Sequence, residues 1–297
     1  MSQAETTSTI ESRAIPNTVV FGFVKALAQE LSTGRVELPS VPEIVVKMQR
    51  VMADENVSNE TVVKVLSAEP VLASKLLNMA NSAALNTSGR KIADLRMAVA
   101  RVGFNIVRSA ALSFAVEQLK SAAQFKHLEP MLDALWKHSV HVAALSHVVA
   151  RRFTSLNGDT ALLAGLMHNV GRIYILTRAS SHPTLFADQL TYQSIVRDWH
   201  TNVAKALLEN WQVAEEIIDA VSNHEDMNRE VRGPVTLTDV VALSSLLQQH
   251  ITHGALIDPT EPLVWALKRL QVRYADCQSV IDESASEIEA LKTVLGG

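Results

Sequence analysis

Of the ten histidines in this 297-residue chain, two sit where helical spacing turns them toward an apolar face. His138 steps with Leu135 and Val142, and His224 with Ile217 and Val221. A neutral imidazole keeps one nitrogen lone pair, so an inward histidine is either a hydrogen-bonded core residue or a ligand for a transition metal. His141 and His147 share a helical segment with His138, at offsets that turn them partly away and suit interhelical hydrogen bonding or the surface. His127, His182, His250 and His253 have no recognisable spacing. Other chemistries find little support. The single cysteine, Cys277, has no histidine partner in sequence and permits neither an intrachain disulfide nor a thiolate cluster. No Gly-rich phosphate loop follows a strand, and there is no Gly-x-Ser-x-Gly elbow.

Helices must position these groups. Ser40 and Glu43 have capping-box spacing, ahead of Ile44, Met48, Val51 and Met52 on one face. Ser58 opens a second short helix with Val62, Val65 and Leu66 inward. Pro70 suits a first turn, followed by Leu72, Leu76, Met79, Ala80 and Ala83. Asp94 is placed to cap a helix that Gly103 ends, and a long segment then runs from Asn105 to about Leu119. The His138 helix starts near Pro130. Asp159 caps the next, which carries Leu162, Leu163, Leu166 and Met167 and closes at Gly171. Further helices cover about 191–211, 214–223 and 237–249. Beyond Glu261, Leu263, Leu267 and Leu270 share a face, and a polar helix runs from about Ser279 to Leu295. No period-2 strand of useful length occurs, so the fold class is all-α.

Composition narrows the function classes. Aromatic residues make up 5% of the chain, so its core must come from Leu, Val, Ile, Ala and Met. The net charge of −4 gives no basic surface for nucleic acid or anionic membrane, although Lys91, Arg96, Arg101 and Arg108 could form a local basic stripe. The N-terminus lacks a basic, apolar leader, and no uninterrupted apolar run nears the roughly 20 residues of a bilayer span. A cytoplasmic location is the expectation. Asn78 and Asn81 are amides in an otherwise apolar helix and need partners if buried. They are expected to tie it to a neighbouring loop.

Residues 38–116 resemble the start of the HDOD domain. The marks are Leu38-Pro39-Ser40-Val41-Pro42-Glu43, Ser67-Ala68-Glu69-Pro70-Val71-Leu72-Ala73, Leu76-Leu77-Asn78-Met79-Ala80-Asn81-Ser82-Ala83, Ile92, and the segment from Ala98 to Gly103. Looser similarity continues to about residue 250 through Trp136-Lys137-His138-Ser139, Gly165-Leu166-Met167-His168-Asn169-Val170-Gly171, His200, Trp211 and His224. The resemblance implies two packed helical lobes, the second similar to a degenerate HD-phosphohydrolase core. With the flexible tail and the C-terminal helices read from the residues, the divisions are a tail at 1–16, the first lobe at 17–125, the second at 126–255 and C-terminal helices at 256–297.

An HD-type hydrolase holds one or two metals with a first histidine, a His-Asp pair and a later aspartate. His138 and His168 match the first two positions, but Asn169 follows His168 and Ser244 stands where the late aspartate is expected. Asp239 is five residues away and points roughly 140° round the helix from Ser244. The Gly-Tyr-Pro signature that follows a histidine pair in the HD-GYP relatives is absent after Asn223-His224. The resemblance thus leaves His138, His168, His200 and His224 with Asn169 as a vestigial pocket. These imidazoles could hold a single divalent transition metal but not a di-metal centre, because two dications need anionic ligands between them. The expectation is a bacterial signal-transduction module without catalysis and without a cofactor, acting by binding a protein partner or a small signalling ligand such as a nucleotide. The alternative is a metal-dependent phosphohydrolase of nucleotides or cyclic dinucleotides that recruits Asp239. The last helix, with Glu283, Glu287 and Glu289, is a candidate homodimer or partner surface.

Overall fold

The computed structural model describes residues 17–34, 36–54, 56–86, 88–226, 232–253 and 263–296. The expected tail at 1–16 and the boundary at 255/256 lie outside these residues. Among the described residues every regular element is helical. The order is α1 (Asn17–Thr33), α2 (Glu43–Met52), α3 (Asn59–Leu66), α4 (Pro70–Ala80), α5 (Leu95–Ser121), α6 (Glu129–Phe153), α7 (Gly158–Met167) and α8 (Val170–Ala179). It continues with α9 (Gln189–Asn210), α10 (Glu215–Asn223), α11 (Leu237–His253), α12 (Leu263–Leu270), α13 (Tyr274–Glu283) and α14 (Ala285–Leu295). Short 3-10 turns occupy Ala123–Leu128 and Pro183–Ala187.

Caps set several starts. Ser58 Oγ accepts from Thr61 N at 3.2 Å, and Asp94 Oδ1 accepts from Met97 N at 2.8 Å. Each such cap contributes about 1 kcal/mol. Pro70 occupies the first turn of α4, where its missing N–H is not needed. Gly103 interrupts α5 with φ 75. By length and composition α5 is apolar enough to cross a bilayer, yet 67% of its most apolar window is buried inside the fold. It is the joint between α2, α3 and α4 on one side and α6 and α7 on the other. One hydrophobic cluster runs from Phe23 of α1 to Leu295 of α14.

Several local expectations are corrected. Ser40 does not cap α2: the helix is entered through Pro42 without a side-chain cap, while Ser40 turns at φ 57 and its Oγ accepts from Gln124 Nε2. Ala83 is exposed, because α4 stops at Ala80. The cap of α7 is Asn157 and not Asp159, whose carboxylate faces His147 from the first turn. The last polar helix is two helices, broken at Ser284. Arg108 leaves the expected basic stripe, since its guanidinium donates to Met52 O and Asn105 Oδ1.

Asn81 performs the predicted tie. Its Nδ2 donates to Ile92 O and its Oδ1 accepts from Ile92 N, both at 2.8 Å. Asn78, by contrast, is exposed. At the chain's ends, α1 packs on α9, and α14 buries Ile288, Leu291 and Leu295 while packing on α6, α4 and α5 of its own chain.

Candidate functional site

Two glycines bring the site together. A Cβ on Gly165 would lie 2.8 Å from Ala143 Cα, so α7 packs on α6 only without one. Gly171 does not close α7 as expected but sits inside α8, where a Cβ would fall 1.9 Å from His200 O. These close approaches of α6 to α7 and of α8 to α9 leave His168 between them, as the residue that ends α7. His224 ends α10 in the same way, while His138 and His200 project from the middles of α6 and α9.

The four imidazoles form a chain. Ring centroids lie 5.3 Å apart for His138–His168, 5.3 Å for His168–His224 and 6.3 Å for His200–His224. His168, His200 and His224 are almost wholly buried. Each points Nδ1 at a carbonyl of its own helix: His168 to Gly165 O at 2.6 Å, His200 to Val196 O at 2.8 Å and His224 to Val221 O at 2.9 Å. A carbonyl can only accept, so Nδ1 carries the proton and Nε2 of the neutral ring is a bare lone pair. All three Nε2 atoms are buried without a hydrogen bond. Burial, followed by the charges of Arg172, His141 and His224, lowers His138 to about 4. Burial likewise lowers His224 to about 4 and drives His168 well below its ordinary value.

The sequence reading missed two charged residues. Arg172, in the first turn of α8, donates to Glu225 Oε1 at 2.7 Å. Glu225 in turn lies 3.3 Å from His200 Nε2 and 3.7 Å from His224 Nε2. Burial alone would raise its carboxyl, but the contact with His200 and the Arg172 guanidinium hold it well below the usual carboxylate range. The available signal was its place directly after His224, read only as part of a missing signature. Beside this group opens a cleft of about 520 Å³, lined by apolar Met131, Leu135, Leu176 and Val196 and by polar His138, His168, Asn169, Arg172, Tyr192 and Glu225. That is the size range of small-molecule sites.

The di-metal set of an HD hydrolase does not fit. Residue 169 is a buried amide, and Ser244 is buried with its hydroxyl unpartnered. Asp239 is not a substitute: its carboxylate accepts from Thr236 N at 2.8 Å and from Arg269 at 3.1 and 3.2 Å. It caps α11 and pairs with α12, and it does not line the cleft.

A family model described as the HDOD domain matches residues 38–227. The chain belongs to the HDOD domain family. Its fold is similar to that of a candidate metal-dependent phosphohydrolase of Shewanella amazonensis, with a TM-score of 0.75 and 24% identity over 94% of this chain and 99% of that one. An HDOD domain protein of Geobacter sulfurreducens with unknown function gives 0.61 and 24% over 94% and 97%. A candidate signal transduction protein of Marinobacter aquaeolei gives 0.60 and 19% over 98% of this chain and 68% of that one. At these identities the likeness speaks for the fold. An uncharacterized protein of Treponema pallidum is 22% identical over 237 residues, and the chain spans 44% of that relative's length.

Proposed function

We propose that this HDOD protein is a regulatory module without hydrolytic activity. Its cleft takes up a small signalling ligand, and its helical surface passes the bound state to a protein partner, in the cytoplasm. What supports the reading is the lack of anionic ligands where the family resemblance puts those of a di-metal hydrolase: Asn169 follows His168, and the resemblance puts Ser244 at the late position. Two closely spaced dications repel, and a neutral amide bridges them poorly. Meanwhile the cleft keeps a guanidinium, a phenol and a largely apolar wall, which suit a ligand of mixed character. Ligand binding shifts the module only as far as the ligand prefers one packing of the helices over another.

Glu225 favours the second reading, a metal-dependent phosphohydrolase, because it restores one carboxylate beside His200 and His224. The two are separated by a turnover assay with phosphomonoesters, cyclic nucleotides and cyclic dinucleotides, in the presence of Mn²⁺, Fe²⁺ or Zn²⁺. The regulatory reading expects no turnover above that of His168→Ala. Turnover that this variant loses would replace it with the enzyme.

A further inference from the structure

The contact between Glu225 and the two imidazoles has an unusual polarity. Nδ1 of His200 and of His224 is committed to a backbone carbonyl, so in the neutral tautomer each ring turns only a lone pair toward the carboxylate. An acceptor nitrogen 3.3 Å from a carboxylate oxygen, with a second at 3.7 Å, is repulsive unless a cation lies between them. The spacing suits a metal ion. Ligand bonds of about 2.1 Å at tetrahedral angles put neighbouring ligand atoms about 3.4 Å apart. The ligand atoms of His200, His224 and Glu225 all lie within 4.8 Å of one another.

We infer that the protein retains a mononuclear metal site built from His200, His224 and Glu225, displaced from the His138–His168 corner that the HD hydrolases imply. Several observations agree with this assignment. The Nδ1–carbonyl bonds fix ring orientation and tautomer in the way that metal-ligating histidines are held. Arg172 donates to Glu225 Oε1 at 2.7 Å and fixes the carboxylate's orientation. His168, with its ring 5.3 Å from that of His224 and its own Nε2 buried without a hydrogen bond, borders the site but lies outside the group of three. One carboxylate and two imidazoles suit a borderline divalent ion such as Zn²⁺ rather than Mg²⁺ or Ca²⁺, which take oxygen ligands. Glu225 also lines the cleft, so the ion would border the space where the signalling ligand is placed. The inference deepens that reading by naming a part of the site, but it does not require the protein to be non-catalytic.

The test is calorimetric titration of the full chain, stripped with chelator, with Zn²⁺, and its repetition with Co²⁺ followed by visible absorption. Wild type should bind one equivalent, and Co²⁺ should give the intense bands of a low-coordinate site. Even residues that only orient a ligand account for about 10–100-fold in metal affinity, so Glu225→Gln and His200→Ala should each lose at least that much. Circular dichroism keeps loss of folding apart from loss of binding, and Glu225→Gln, nearly isosteric, is the decisive variant. If wild type takes up no Zn²⁺, or if folded Glu225→Gln binds it as well as wild type, the cation between these groups is a proton and the metal site is wrong. Phosphoester turnover by the loaded protein would overturn the regulatory reading and leave the metal site standing. A metal-free wild type does the reverse.

Discussion

Helix α6 carries two inward histidines nine residues apart, His138 and His147, whose surroundings are opposite. His138 opens onto a cluster of imidazoles whose Nε2 atoms have no hydrogen bond, with a single carboxylate at its far side. His147 lies between two carboxylates, Asp159 Oδ1 of α7 at 3.5 Å and Glu287 Oε1 of α14 at 3.4 Å, and Arg151 also donates to Glu287 at 2.7 Å. The second arrangement compensates charge on the spot and ties the C-terminal helix to the core. The first leaves lone pairs facing a buried space and needs something more to satisfy it. A buried histidine on an apolar stripe therefore has no fixed meaning. What it does is set by the residues that other helices bring to it.

The largest effect should come from breaking the cleft side alone. Gly171→Ala puts a Cβ on the carbonyl of His200 and forces α8 off α9, at a cost of about 3 kcal/mol or more. Denaturant unfolding should show this, and the displaced His200 should also lose Zn²⁺. A well-tolerated alanine would mean that α8 and α9 are not packed so closely.

Acid should act mainly on the same side. His138 and His224 sit near 4 in the fold against about 6.5 unfolded, so the unfolded chain binds protons first as pH falls. Their neutral, buried state gives its full stability above about pH 6.5, and that stability is lost between there and about pH 4. The loss is on the order of 3 kcal/mol for His224 and less for half-buried His138. Unfolding of metal-free protein across this range should show that slope, flattened in His224→Gln. A flat profile in wild type would show that the rings are already charged or solvated.

Smaller and more discriminating effects are expected at His147. Its contact helps to hold the Glu287 carboxyl below its ordinary value, whereas burial raises that of Asp159. Glu287→Gln should therefore cost about 1 kcal/mol and speed hydrogen exchange in α14, while Asp159→Asn should stay within about 0.5 kcal/mol of wild type. Equal costs for the two would undo the distinction.

Where a signal and its partner are close in sequence, it was legible. Ser58 and Asp94 cap the helices they precede, Pro70 opens α4, and Asn81 reaches Ile92 across one turn of chain. The misreadings share a cause. Ser40 and Asp159 have capping chemistry, but side chains of other helical segments, Gln124 and His147, claim them. Gly171 reads as a helix end because glycine commonly is one; its role here is to admit α9.

An all-helical chain and the inward spacing of His138 and His224 were readable from residues alone; the places of His168 and His200, and the neutral amide at 169 where a hydrolase needs an acid, came from the family resemblance. The first two follow from periodicity and caps, which act within a few positions along the chain. Packing brings Glu225 and Arg172 to the imidazoles, occupies Asp239 with Arg269, and docks α14 through Glu287 on His147 and Arg151. Apart from the neighbours His224 and Glu225, those contacts span 25 residues of chain for His200–Glu225, 30 for Asp239–Arg269, 53 for Arg172–Glu225 and 136 for Arg151–Glu287. Their formation depends on how closely helices pack, and so on single atoms such as the absent Cβ of Gly171, which no local pattern records.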